Sequence, residues 1–261
     1  MPRFSANLTM LFQEYGFLDR FDAAARAGFM AVEYVSPYEH PPEIVAERLK
    51  RNGLTQALFN MPAGDWAAGE RGIAILPDRV EEFRKSVDTT IAYARALGCE
   101  RVNCLAGLAP EGLDRETMES VLVENLRYAA QRLADAGVKL LIEPINPRDI
   151  PGFFVNTSRH ALAIMDKVGS DNLYLQYDIY HMQVMEGDLA RTIEQNLGRI
   201  AHIQIADNPG RHEPGTGEIS YPFLFGHLDR IGYDGWVGAE YRPLAGTEAG
   251  LGWLREVAEA G

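Results

Sequence analysis

Four polar residues stand where short apolar, strand-like runs come to an end. They are Glu143 after "KLLI", Asp178 closing "LYLQYD", Gln204 within "IAHIQIAD" and Glu240 in "WVGAEY". A carboxylate at the edge of a core is costly unless something pairs with it. Three of them at one rim would raise one another's pKa unless a cation neutralised them. With the amide of Gln204 they form an all-oxygen donor set. Such a set suits a hard divalent ion, Mg2+ or Mn2+, better than zinc. Each residue also has an ordinary reading: Glu143 or Glu240 as an arginine partner or helix cap, Asp178 as the cap of the next helix, Gln204 as a satisfied polar residue.

Three further residues fall near this set. His181 follows Asp178 by three positions in "YDIYHMQ", so one helical turn brings it to the same rim, as a substrate contact or as a core histidine. Arg211 lies in "DNPGRHEPGTGE", close in sequence to Gln204, and Arg71 lies in "GERG". Either could be a solvated loop arginine. Either could also recognise the carboxylate of an anionic substrate, which a guanidinium does with two parallel hydrogen bonds. His202 shares the face of Gln204 and serves either packing or its support.

What must position these residues is a repeating unit. Eight strand-like runs, beginning at "RFSAN", "AVEYV", "LTQALFN", "RVNCL", "KLLIEP", "LYLQYD", "IAHIQIAD" and "WVGAEY", are separated by amphipathic segments such as "FLDRFDAAARAG" and "RETMESVLVENLRYAAQRLADAG". The first four helical segments end on Gly28, Gly53, Gly98 and Gly137, residues suited to a left-handed helix terminus. Strands alternating with helices imply right-handed crossovers and a parallel sheet. Eight units in 261 residues predict one α/β domain, a (β/α)8 TIM barrel spanning residues 1–261. In that architecture the loops following strands carry the active site. The longest are "MPAGDWAAGERGIAILPD" after the third strand and "NPGRHEPGTGEISYPF" after the seventh.

Composition narrows the function. Lys plus Arg number 25 against 37 Asp plus Glu, a balance of −12 that disfavours nucleic acid and anionic membrane surfaces as partners. No stretch approaches the roughly 20 apolar residues of a membrane span, and the N-terminus lacks a signal-peptide core. Two cysteines, Cys99 and Cys104, read as reduced thiols of a cytoplasmic protein. There is no Gly-x-Ser-x-Gly elbow, no His-Glu-x-x-His helix and no Cys-x-x-Cys pair, and the "GTG" at Gly215 to Gly217 lacks the lysine of a phosphate loop.

The motifs "LIEPINPRDIPGFF", "QYDIYHMQ", "HIQIADNPGRHEPGTGE" and "GYDGWVGAEY", with "NMPAGDWAAGERGI" and "FSANLTMLF", closely resemble the hydroxypyruvate isomerase family within the xylose-isomerase-like barrels. The similarity runs over essentially the whole chain. It implies that Glu143, Asp178, Gln204 and Glu240 ligate one divalent metal ion, Mg2+ or Mn2+, with Glu143 and Glu240 also the acid/base pair. His181, Arg211 and Arg71 are then the expected contacts of a small hydroxy or oxo acid. Ketose epimerases of the superfamily place a histidine where Gln204 stands, and a multi-zinc endonuclease relative needs more ligands than this rim supplies. The implied reaction interconverts hydroxypyruvate and tartronate semialdehyde (2-hydroxy-3-oxopropanoate) through a cis-enediolate, within glyoxylate and carbohydrate metabolism. Alternatives on the same metal site are isomerisation of a 2-oxo-tetronate, 3-epimerisation of a ketose, a hydride shift in place of proton transfer, or binding of a sugar acid without turnover. The apolar helix faces also permit a homo-oligomer.

Overall fold

The computed structural model describes residues 1–259. Its eight strands are β1 (Arg3–Asn7), β2 (Ala31–Tyr34), β3 (Thr55–Asn60), β4 (Arg101–Cys104), β5 (Lys139–Ile142), β6 (Leu173–Asp178), β7 (Ile200–Ile205) and β8 (Trp236–Ala239). Each pairs in parallel with the next, and β8 closes on β1 with Phe4 opposite Val237, so the sheet is a closed barrel. The chain has the predicted (β/α)8 TIM barrel fold.

Helices α1 (Phe17–Arg26), α2 (Pro42–Asn52), α3 (Val80–Leu97), α4 (Arg115–Asp135) and α5 (Ser158–Val168) follow the first five strands. After β6 the crossover is split into two short helices, α6 (Ile179–Met185) and α7 (Leu189–Gln195). The break falls where Gly187 and Asp188 both take positive φ, 67° and 47°. The remaining helices are α8 (Tyr221–Arg230) and α9 (Gly252–Glu259). No described helix is long and apolar enough to cross a membrane. Cys99 and Cys104 are both buried and unbridged.

The period-2 alternation of the strands sorts two kinds of core. Val32, Val102, Leu140, Ile142, Leu175, Ile203 and Val237 face the helices and belong to the main apolar cluster. The residues between them are largely polar and equally buried: Glu33, Asn103, Gln176, His202 and Gln204 are each 3% exposed or less. The inside of the upper barrel is thus a hydrogen-bonded network. Its top layer carries the residues singled out above.

Candidate active site at the C-terminal mouth of the barrel

Glu143 follows the last residue of β5, Asp178 is the last of β6, Gln204 is the penultimate of β7 and Glu240 follows the last of β8. The pairing register sets Asp178 opposite Gln204 and Gln204 opposite Gly238, so the four side chains rise at the same rim. All are buried.

Asp178 combines its two sequence readings. Its Oδ1 caps α6, accepting from the backbone N–H of Tyr180 at 2.8 Å and of His181 at 3.3 Å. Its Oδ2 is buried and makes no hydrogen bond among the described residues, lying 3.5 Å from His181 Nε2 and 3.8 Å from Arg211 Nη2. Glu143 accepts from Asn103 Nδ2 at 2.8 Å through Oε2, and its Oε1 lies 3.9 Å from His181 Nε2. Candidate ligand atoms of Glu143, Asp178 and His181 all fall within 4.8 Å of one another, close enough to hold a metal ion. Across from them Glu240 Oε1 faces Arg211 Nη2 at 3.4 Å.

Gln204 is turned so that its Nε2 donates to Glu240 Oε2 and, at 2.8 Å, to Glu33 Oε1, while its Oε1 accepts from Gln176 Nε2 at 2.6 Å. To offer its oxygen to an ion the amide must rotate. Gln176 Oε1 has no partner among the described residues, so opposite rotations of the two amides would keep a hydrogen bond between them.

Charge and burial act together on the carboxylates. Burial, then Glu240 and Asp178, push Glu143 well above the usual carboxylate range. Burial raises Glu240 to about 8, with Asp178 and Glu33 adding to the rise and Arg211 opposing it. Asp178 is raised by burial to about 6 against the pull of Arg211. Such perturbed carboxylates suit groups that exchange protons near neutral pH.

Arg211 reaches this cluster from the loop after β7. Its backbone takes a left-handed φ of 55°, and the loop is gathered by Asp207, whose carboxylate accepts from the N–H groups of Gly215, Gly217 and Ile219. Asp149 Oδ2 holds Arg211 Nη1 at 2.9 Å, and the guanidinium lies 5.1 Å from the centre of the Tyr180 ring. Arg71 is placed differently. Its guanidinium stacks 3.8 Å above the Trp66 ring and donates to the carbonyls of Trp66 and Glu70, within its own loop. Among the described residues the ion pairs of the acid cluster involve Arg211 and His181.

Reading the sequence missed the residues beneath and beside this rim. Glu33 is fully buried yet accepts from Ser5 at 2.7 Å, Asn7 at 3.2 Å and Gln204, with His202 Nε2 2.8 Å away. Burial alone would raise its pKa, but His202, Gln204 and Ser5 hold it below the usual value. Asn103, Asn146, Asp149 and Gln176 complete the support. Asn103 and Gln176 are each a polar residue inside an otherwise apolar run, while Asn146 and Asp149 lie in the proline-rich turn after β5.

Comparisons with known proteins place the fold in a family. A family model described as xylose isomerase-like TIM barrel matches residues 21–257. The chain belongs to that family. It is 56% identical to the hydroxypyruvate isomerase of Escherichia coli, covering 97% of this chain and 98% of the relative. It is 52% identical to the 2-oxo-tetronate isomerase of Cupriavidus necator, covering 98% of both. A solved Brucella melitensis structure described as an AP endonuclease, family 2, superposes with a TM-score of 0.96 at 48% identity, covering 98% of this chain and 99% of that one. The chain is accordingly an isomerase of the xylose isomerase-like barrels.

Proposed function

We propose that the protein interconverts hydroxypyruvate and tartronate semialdehyde, an aldose–ketose isomerisation by proton transfer. The observation that carries this reading is two buried, high-pKa glutamates, Glu143 and Glu240, flanking Asp178 at one rim of the barrel, in a chain aligned end to end with a hydroxypyruvate isomerase. By proton transfer, a base takes a hydrogen from one carbon and an acid returns one to its neighbour through a cis-enediolate, while the hydroxyl proton passes from the first carbon's oxygen to the second's. Glu143 and Glu240 take those two roles. Arg211 and His181 bind the acid substrate and fix its reacting carbons between them. Arg71, stacked on Trp66 in the loop after β3, would reach the substrate only by leaving that stack.

The residues fit a divalent metal ion. Asp178 Oδ2 is a buried oxygen without a hydrogen-bond partner among the described residues, and the donors are hard oxygens. Glu143, Asp178, Glu240 and, after rotation of its amide, Gln204 would hold Mg2+ or Mn2+. Bound there, the ion supplies positive charge that stabilises negative charge developing on adjacent substrate oxygens.

The relative from Cupriavidus necator supports a second reading, the same chemistry on a 2-oxo-tetronate. Turnover with Mg2+ or Mn2+ in D2O tests both. Proton transfer puts solvent deuterium into the product, whereas full retention of the substrate hydrogen would replace it by a hydride shift. A kcat/KM at least tenfold higher on a four-carbon oxo acid than on hydroxypyruvate would transfer the assignment to that substrate. The net charge of −12 supports a small-molecule partner over nucleic acid, and the two buried free thiols fit a reducing, cytoplasmic setting.

A further inference from the structure

The sequence "INPRD" after β5 folds into a tight turn whose contacts reach helix α6 and the loop after β7. Asn146 Oδ1 accepts from the backbone N–H of Asp149 at 2.9 Å. A backbone N–H can only donate, so this contact fixes which end of the amide is oxygen. Asn146 Nδ2 must then face His181 Nδ1, 2.6 Å away. An amide N–H pointing at Nδ1 demands a lone pair there. The ring proton is left on Nε2, which points toward Asp178 Oδ2 at 3.5 Å, the buried oxygen that lacks a hydrogen bond among the described residues.

This is the reverse of what a metal-ligating histidine needs. Such a histidine gives its second ring N–H to an acceptor, which leaves the other nitrogen's lone pair for the metal. Here the second nitrogen receives a proton donor instead. Nε2 also faces Glu143 Oε1 at 3.9 Å, a second acceptor for its proton, and Arg211 Nη2 at 3.4 Å, which would ask Nε2 for a lone pair. A neutral imidazole cannot offer lone pairs at both nitrogens, and the contact 0.8 Å shorter prevails.

We infer that Asn146 is a positioning residue that locks His181 as the Nε2–H tautomer, making it a hydrogen-bond donor to a substrate oxygen and not a metal ligand. The same turn holds the second substrate-facing group, because Asp149 accepts from Arg211 Nη1 at 2.9 Å and from Tyr180 Oη at 3.0 Å. One four-residue turn thus sets both the tautomer of His181 and the reach of Arg211. The inference rests on the site assigned above, but its test does not require turnover.

Long-range 1H–15N correlation spectra of histidine-labelled protein in Mg2+-containing buffer read the tautomer directly. The His181 signals are identified by their loss in His181→Gln. Wild-type protein is expected to show an unprotonated Nδ1 and a protonated Nε2 at neutral pH. Asn146→Asp offers an acceptor where the wild type has a donor, and a proton should appear on Nδ1. Once His181 Nε2 gives up its proton in that variant, its lone pair joins Glu143 and Asp178, and zinc affinity should rise at least tenfold over wild type. A wild-type His181 protonated at Nδ1, or an Asn146→Asp spectrum unchanged at Nδ1, overturns the inference. Should Asn146→Asp fail to fold, the wild-type spectrum decides alone. Loss of hydroxypyruvate turnover would bear on the proposed reaction and leave this measurement untouched.

Discussion

A Cβ added to Gly238 would stand 2.3 Å from both carboxylate oxygens of Glu33. The missing side chain on β8 is therefore the space that Glu33 occupies on its way to His202 and Gln204. Gly238→Ala should drive Glu33 out of that space and break its contact with Gln204, which itself bonds Glu240. Overpacking at such a site costs about 1–3 kcal/mol. Urea unfolding of Gly238→Ala is expected to show a lower midpoint at unchanged slope, together with weakened divalent-ion binding. A midpoint equal to that of the wild type would mean that Glu33 has room to yield.

Arg211 is, among the described residues, the one arginine inside the acid cluster, and its two ends address different carboxylates, Glu240 and Asp149. Lysine keeps the charge but cannot span both. Arg211→Lys should lower kcat/KM on the oxo acid by about 30- to 150-fold, the ~2–3 kcal/mol of a charge-assisted hydrogen bond. Arg71→Lys, whose partner is the exposed Trp66 ring, should lose far less. Steady-state kinetics on both variants would reveal an inverted order if the loop after β3 supplied the main substrate contact.

The clustered carboxylates make stability depend on pH in a definite direction. Glu240 is raised by burial from an ordinary 4.5 to about 8, so the folded chain holds a proton that the unfolded chain has released between those values. Its stabilising contribution is complete below pH 4.5 and lost as pH rises through 8. Chelator-treated wild type should therefore lose thermal stability between about pH 5 and 8 more steeply than Glu240→Gln, which cannot ionise there. Added Mg2+ or Mn2+ should flatten the wild-type slope, because a cation favours the charged carboxylates. Parallel slopes for the two proteins without metal would remove Glu240 as the titrating group.

The barrel was legible because its signal is local. Short apolar runs ending in Glu143, Asp178 or Glu240, separated by helices with glycine ends, require no knowledge of distant contacts. Glu33 was not legible for the opposite reason. Within "AVEY" it is one polar residue in a short run, and its meaning comes from His202, 169 positions away, through closure of the barrel. Arg71 and Arg211 look alike in sequence, each in a long glycine-rich loop. Packing separates them: Trp66 captures the first, while Asp149 and Asp207 bring the second inward. The orientation of Gln204 is likewise a property of Gln176 and Glu33, residues on other strands.

Asp178 allows the structural and chemical roles of one carboxylate to be tested apart. Asn in its place keeps an oxygen to cap α6, accepting from Tyr180 and His181, but puts an amide nitrogen where Oδ2 stands free. Asp178→Ala removes both, with a capping loss of about 1 kcal/mol. Metal-free Asp178→Asn should melt at or above the wild-type temperature, since it discards a buried charge crowded by Glu143 and Glu240. Its affinity for Mn2+ should nevertheless fall about 100-fold or more, since changing even a residue that only supports a ligand costs about 10- to 100-fold. Calorimetric titration of the three proteins distinguishes the roles. If Asp178→Asn bound Mn2+ as tightly as the wild type, Oδ2 would not be a ligand, and the buried carboxylate would serve the helix alone.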